Sequence, residues 1–205
     1  MALFGPPNVD RLAAKGDISG LTKALRYQGL WRARRDAARA LGELRDVAAI
    51  EPLLEALCDD NRSVRIAAIE ALGKIHAPEA AELLMQALRS QAVEIRKAAA
   101  ESLGHVGDPR AVEPLIGRLN DPSWSVRRAA AVALGGLGDQ RAAEPLLAAA
   151  SDNDVNVRCA AISAALSLSR QPPDAMADPG LEGACPRRKS RDFSETELIK
   201  EAVRR

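Results

Sequence analysis

Apolar residues in this chain fall three and four apart in short runs that break, restart and return. Between Pro109 and Asp139, in PRAVEPLIGRLNDPSWSVRRAAAVALGGLGD, the first run holds Val112, Leu115, Ile116 and Leu119. The second holds Val126, Ala129, Ala130, Ala133, Leu134 and Leu137. Either set occupies one face of a helix. The polar break between them, NDPSWS, is built of residues that favour turns and helix N-caps. The pattern therefore predicts a helical hairpin, with helix A before the break and helix B after it.

Sliding the sequence by 31 positions superposes Arg34, Arg65, Arg96, Arg127 and Arg158, and likewise Leu41, Leu72, Leu103 and Leu134. A unit of this size cannot bury its apolar face alone, so fixed repetition predicts a stack in which each neighbour supplies the missing wall. The fold class expected is all-α, an α-solenoid of five two-helix repeats over 16–46, 47–77, 78–108, 109–139 and 140–170. Residues 1–15 are expected to form an N-terminal cap helix opened by Asn8. The proline-, glycine- and charge-rich stretch 171–193 predicts a flexible linker. Residues 194–205 predict a short helix, with Ser194 and Glu197 at capping-box spacing.

Smaller features refine the hairpin. Pro52, Pro114 and Pro145 recur inside helix A, where a proline removes a donor, so that helix must start late or bend. Alanine pairs at 67–68, 98–99, 129–130 and 160–161 predict close helix packing. Gly107 and Gly138 close helix B in the left-handed conformation, and Asp108 and Asp139 cap the next helix A. The arginine at the start of each helix B, Arg34, Arg65, Arg96, Arg127 and Arg158, is expected to form a structural ladder with loop acids such as Asp59, Asp121 and Asp152. A repeating interface needs the same residue in every unit, whereas a ligand rarely does.

Composition narrows the function classes. The 29 basic and 28 acidic residues balance, so no global charge draws the chain to nucleic acid or an anionic membrane. Cys58, Cys159 and Cys185 lie far apart with no CxxC pair, which excludes a disulfide framework and a zinc module from the expectation. With no apolar run near the length of a membrane span, a cytoplasmic protein without membrane contact is expected.

The units VEPLIGRLNDPSWSVRRAAAVALGGLGD and IEPLLEALCDDNRSVRIAAIEALGKIHA resemble the short HEAT-like repeats of the phycobilisome-lyase type, over residues 16–170. That resemblance implies a helical solenoid, in a group that includes chromophore-lyase subunits, iron-dependent hydroxylases and plain interaction proteins. The hydroxylases hold two irons with repeated His-Glu pairs. Here His76 precedes Ala77 and His105 precedes Val106, so their motif is absent.

Catalytic residues are not assembled by the sequence. His76 and His105 are its only histidines and occupy different places in their units. Cys159 has no histidine in its repeat to act as base. The glycines of LGGLGD follow no strand and so make no phosphate loop. No catalytic, cofactor or metal site is expected, and no cofactor.

What remains is the outer side of helix B, which in this architecture lines the concave surface. It is projected to carry Trp31, Arg35, Arg39, Ile66, Ile69, Lys97, Trp124, Arg128, Val132 and Ile162. An apolar strip with tryptophan and arginine is the usual make-up of a protein-binding patch. A protein or peptide partner is the first expectation, and a lyase-like enzyme subunit is the alternative. Nucleic-acid binding through Arg35, Arg39, Arg62, Lys97 and Arg128 is disfavoured by the interleaved Glu70 and Glu101.

Overall fold

The computed structural model of the protein describes residues 6–170, all of whose regular structure is helical. The linker expected at 171–193 and the helix expected at 194–205 lie outside the described residues. Helix α1 (Val9–Ala14) starts at Asn8, whose side chain accepts from the Arg11 N–H. Five hairpins come next: α2 (Ile18–Leu25) with α3 (Trp31–Leu44), α4 (Ile50–Ala56) with α5 (Arg62–Ile75), α6 (Ala81–Ala87) with α7 (Val93–Val106), α8 (Val112–Arg118) with α9 (Trp124–Leu137), and α10 (Ala143–Ala149) with α11 (Val155–Arg170).

From the second hairpin on, helix A starts late. A single 3-10 turn comes first, at Val47–Ala49, Pro78–Ala80, Pro109–Ala111 and Gln140–Ala142. Pro52, Pro114 and Pro145 then stand third in α4, α8 and α10. A first-turn N–H has no intrahelical acceptor, so proline is tolerated there without a kink. Asp46, Asp108 and Asp139 cap the 3-10 turns by accepting the N–H two residues on.

Each inner helix B is buried on three sides. One side meets its own helix A, and the other two meet the B helices before and after it. Gly42, Gly73, Gly104 and Gly135 face the next repeat, where a Cβ would come within 2.6 to 2.9 Å of Ala71, Ser102, Ala133 or Ala164. The B helices pack closely because nothing projects at that seam. Ser102, also buried in it, donates its hydroxyl to the Ile69 carbonyl at 2.9 Å. Successive B helices thus lie directly on one another, while successive A helices scarcely touch. The stack is tighter on its B side, which makes that side the inner one.

Candidate interaction surface

At the loop end of the seam the repeated arginines reach between units. Arg34 donates Nε and Nη2 to Asp59 at 2.7 and 3.0 Å, and Arg127 does the same to Asp152 at 2.7 and 2.9 Å. Arg96 holds Asp121 at 2.7 and 2.8 Å, with both residues buried. These bidentate pairs each join one helix B to the loop of the following repeat. Every arginine also donates Nη1 to carbonyls of the loop preceding it, as Arg96 does to Ser90 and Gln91. Arg65 and Arg158 make the carbonyl bonds alone, Arg65 to Asp59 and Asp60, Arg158 to Asp152 and Asn153.

The carboxyls respond to this setting. Burial is the largest influence on Asp59 and Asp121 and pushes them upward. Hydrogen bonds from Arg34 or Arg96 and from a turn N–H outweigh it, leaving both below the ordinary carboxylate range. At Asp152 the Arg127 hydrogen bonds dominate and the direction is again downward. The guanidinium groups of Arg34, Arg96 and Arg127 are raised by the same bonds. Their charge is therefore engaged within the stack and turned away from a ligand.

The outer side of the B helices is a separate surface. In α3, Trp31 is half-buried, and the guanidinium carbons of Arg32 and Arg35 stand 5.6 and 5.2 Å from its ring centroid. Arg35 also pairs with Asp36 at 2.7 Å, whereas Arg39 is exposed. Along α5 and α7, Ile66 is half-buried against the core, Arg62 reaches Glu94 at 3.3 Å, and Lys97 reaches Glu101 at 3.6 Å. Toward the other end Trp124, Val132 and Val155 are 48, 54 and 55 % exposed, Arg128 is exposed, and Ile162 is half-buried.

Ile69 does not belong to this surface. It is 2 % exposed, on the α5 flank that the next helix B covers, where Ala100 and Ala131 stand in α7 and α9. A projection that gives helix B one buried face misplaces it, because stacking buries two more. Ala131, at the same place in α9, is fully buried for the same reason.

The sequence also failed to disclose a groove between α9 and α11. It encloses about 580 Å³ and is lined by Arg128, Val132, Gly135, Gly136, Cys159 and Ser163, among others. One departure from the repeat pattern lies on its wall. Where α5 and α7 carry Lys74 and His105, α9 has Gly136, which stands beside Gly135 on the α9 wall of the groove. Cys159 is a free exposed thiol on this groove.

Candidate chemistry stays dispersed. The His76 and His105 rings stand edge to face, 6.2 Å apart, and His76 Nδ1 meets the His105 carbonyl. Among the described residues no three His, Cys, Asp or Glu side chains are grouped to hold a metal ion. Among them, too, no helix is long and apolar enough to cross a membrane.

Comparison with known proteins agrees with the architecture. No curated protein sequence matches the chain. Among solved structures, an engineered protein is similar at a TM-score of 0.63 and 23% identity, over 80% of this chain and 84% of that one. The complex of CpcE and CpcF of phycocyanin lyase from Nostoc sp. PCC7120 is similar at 0.59 and 27% identity, over 78% and 67%. A designed armadillo repeat protein in complex with the peptide (KR)4 is similar at 0.62 and 19% identity, over 80% and 87%. The family model of HEAT repeats matches residues 18–102 and again 82–167, and the chain belongs to the HEAT-repeat family.

Proposed function

We propose that the protein is a non-enzymatic scaffold that grips a protein or peptide segment along the outer side of its B helices. The surface comprises Trp31, Arg35, Arg39, Ile66, Lys97, Trp124, Arg128, Val132 and Ile162. One observation carries the proposal: Trp124, Val132 and Val155 stand about half exposed, beside an open groove and next to the exposed Arg128. Large apolar side chains grouped in this way are costly to leave in water and mark contact surfaces, and tryptophan and arginine are the side chains that most often anchor them.

The similar structures support this reading. One of them is a repeat protein holding a peptide, and another is a complex of two proteins. A lyase-like role would need a bound group and side chains to act on it. Cys159, the one thiol on the groove, has no histidine in its own repeat. Ile66, Lys97, Glu70 and Glu101 alternate sign and polarity along the middle of the surface, which suits a polypeptide better than a row of phosphates.

The test is affinity capture from native cell extract with the full chain as bait, compared with a triple variant, Ile66→Ala with Trp124→Ala and Val132→Ala. The expected outcome is loss of the captured protein by a variant that still melts cooperatively, at a somewhat lower temperature because Ile66 packs against the core. Undiminished capture by a folded triple variant would reject the surface.

A further inference from the structure

Resting on the reading that this surface holds a polypeptide, we infer that its ligand is chemically polarised: a segment of about a dozen residues, acidic over the first repeat and apolar over the last two. The size comes from the stack. Five B helices with axes about 9 Å apart span about 36 Å, which an extended chain crosses in about 11 residues.

The polarity comes from which charges the fold already uses. In the middle repeats they are consumed internally, as Arg62 with Glu94, Lys97 with Glu101, and Lys74 with Glu43 at 2.6 Å. At the first repeat Arg32 lies against Trp31, and Arg32 and Arg39 form no ion pair among the described residues. Two guanidinium forks on the exposed side of α3 suit carboxylates, which they can take bidentately. Glu70, across the seam from Arg39, is an outer-face carboxylate without an ion pair among the described residues and would repel an acidic segment that ran further. From Trp124 onward the same side holds Val132, Val155, Cys159 and Ile162, with Ser125, Asn156 and Ser163 between them. No carboxylate stands among these, and the single charge, Arg128, is a cation without an ion pair among the described residues. A basic ligand end finds no counter-charge there, whereas the groove between α9 and α11 offers an apolar side chain a place to bury.

The experiment pans random 12-residue peptides displayed on phage against the immobilised full chain, then measures synthetic copies of the enriched peptides by fluorescence anisotropy. Peptides with Asp and Glu gathered at one end and Leu, Ile, Phe or Trp at the other are expected. The double variant Arg32→Glu with Arg39→Glu should weaken them about tenfold at low salt, and less at high salt. Replacing the peptide's acids with Gln should do the same, and the two changes together should cost no more than either alone. Val132→Asn, which adds no charge, should weaken the same peptides about tenfold with no change in salt dependence. Arg32→Gln with Arg39→Gln, a milder change at exposed sites, repeats the test should the glutamate variant unfold. Enriched peptides that are basic, or show no segregation of charge, would overturn the polarity while leaving the binding surface standing. No enriched peptide at all would sink the surface and the polarity together.

Discussion

Arg96 and Arg65 stand at the same place in adjacent repeats and end in different company. Arg96 crosses to Asp121 in the following loop, and both are buried. Arg65 finds Ser90 where that acid would be, and bonds only to the carbonyls of its own loop. Asp121 does two things at once: one oxygen accepts the Ser123 N–H to shape the turn, and the pair of oxygens receives Arg96. Ser90 keeps the first task, its hydroxyl accepting the Ala92 N–H, but one oxygen cannot reach back to Arg65. Turn and tie are thus separable functions of one position, and the stack tolerates the loss of a tie where the turn survives.

The largest expected effect breaks the strong side of that comparison. Arg96→Ala strands Asp121, 4 % exposed, with the Ser123 N–H and with Arg118 3.6 Å away. Removing one partner of a buried ion pair costs about 3–5 kcal/mol. Arg127→Ala, at a rung more open to water, should cost somewhat less. Arg65→Ala loses only carbonyl bonds, about 1 kcal/mol. Urea melts of the three variants should fall in that order, and an Arg65→Ala loss equal to that of Arg96→Ala would show that the acid contributes nothing.

Acid should act on the same contrast. Asp59, Asp121 and Asp152 all titrate below their ordinary range in the folded chain. A carboxyl with a depressed folded value contributes stability that is complete above its unfolded value, about 4, and lost as pH falls through the folded one. The melting temperature should therefore decline steeply below about pH 4. Asp121→Asn should be less stable at neutral pH and flatten that decline. A wild-type melt insensitive to pH between about 5 and 2 would mean that the carboxyls gain nothing from their arginines.

Ser90→Asp sharpens the comparison from the weak side. The aspartate keeps an acceptor for the Ala92 N–H and adds the oxygen Arg65 lacks, so a fourth rung should form. The gain should be about 1 kcal/mol, since the site is partly open to water. It should vanish when Arg65→Ala is combined with it, a double-mutant cycle that isolates the new contact.

How much of this was legible depends on what repetition records. The spacing of arginines, leucines and late prolines wrote out the hairpin, its stacking and the fold class, because each feature recurs for a reason internal to one unit. Ile69 was misread because its burial is owed to a neighbour that amphipathic projection leaves out. The glycines at 42, 73, 104 and 135 were visible as a column, yet what they meet across the seam depends on how closely two helices lie. On the outer side, Trp124, Arg128 and Val132 could be projected because they are exposed within their own hairpin. The groove beside them lies between side chains of two helices, and which of them line it depends on how α9 and α11 are set against each other.

The smallest effect concerns a column that varies without changing shape. Arg45, His76, Gly107 and Gly138 each close a helix B in the left-handed region, with φ of 52°, 56°, 79° and 72°. A side chain there crowds its own backbone by roughly 1 kcal/mol, which glycine avoids. His76 has an offsetting contact in the His105 carbonyl, so replacing it would mix two effects. Arg45 is exposed and its guanidinium makes no hydrogen bond or ion pair among the described residues, which makes it the cleaner test. Arg45→Gly should raise stability by somewhat less than about 1 kcal/mol, because glycine also gives the unfolded chain more freedom. The gain should appear as a higher denaturation midpoint with an unchanged slope. A lower midpoint would mean that the Arg45 side chain contributes more to closing the first repeat than its backbone strain takes away.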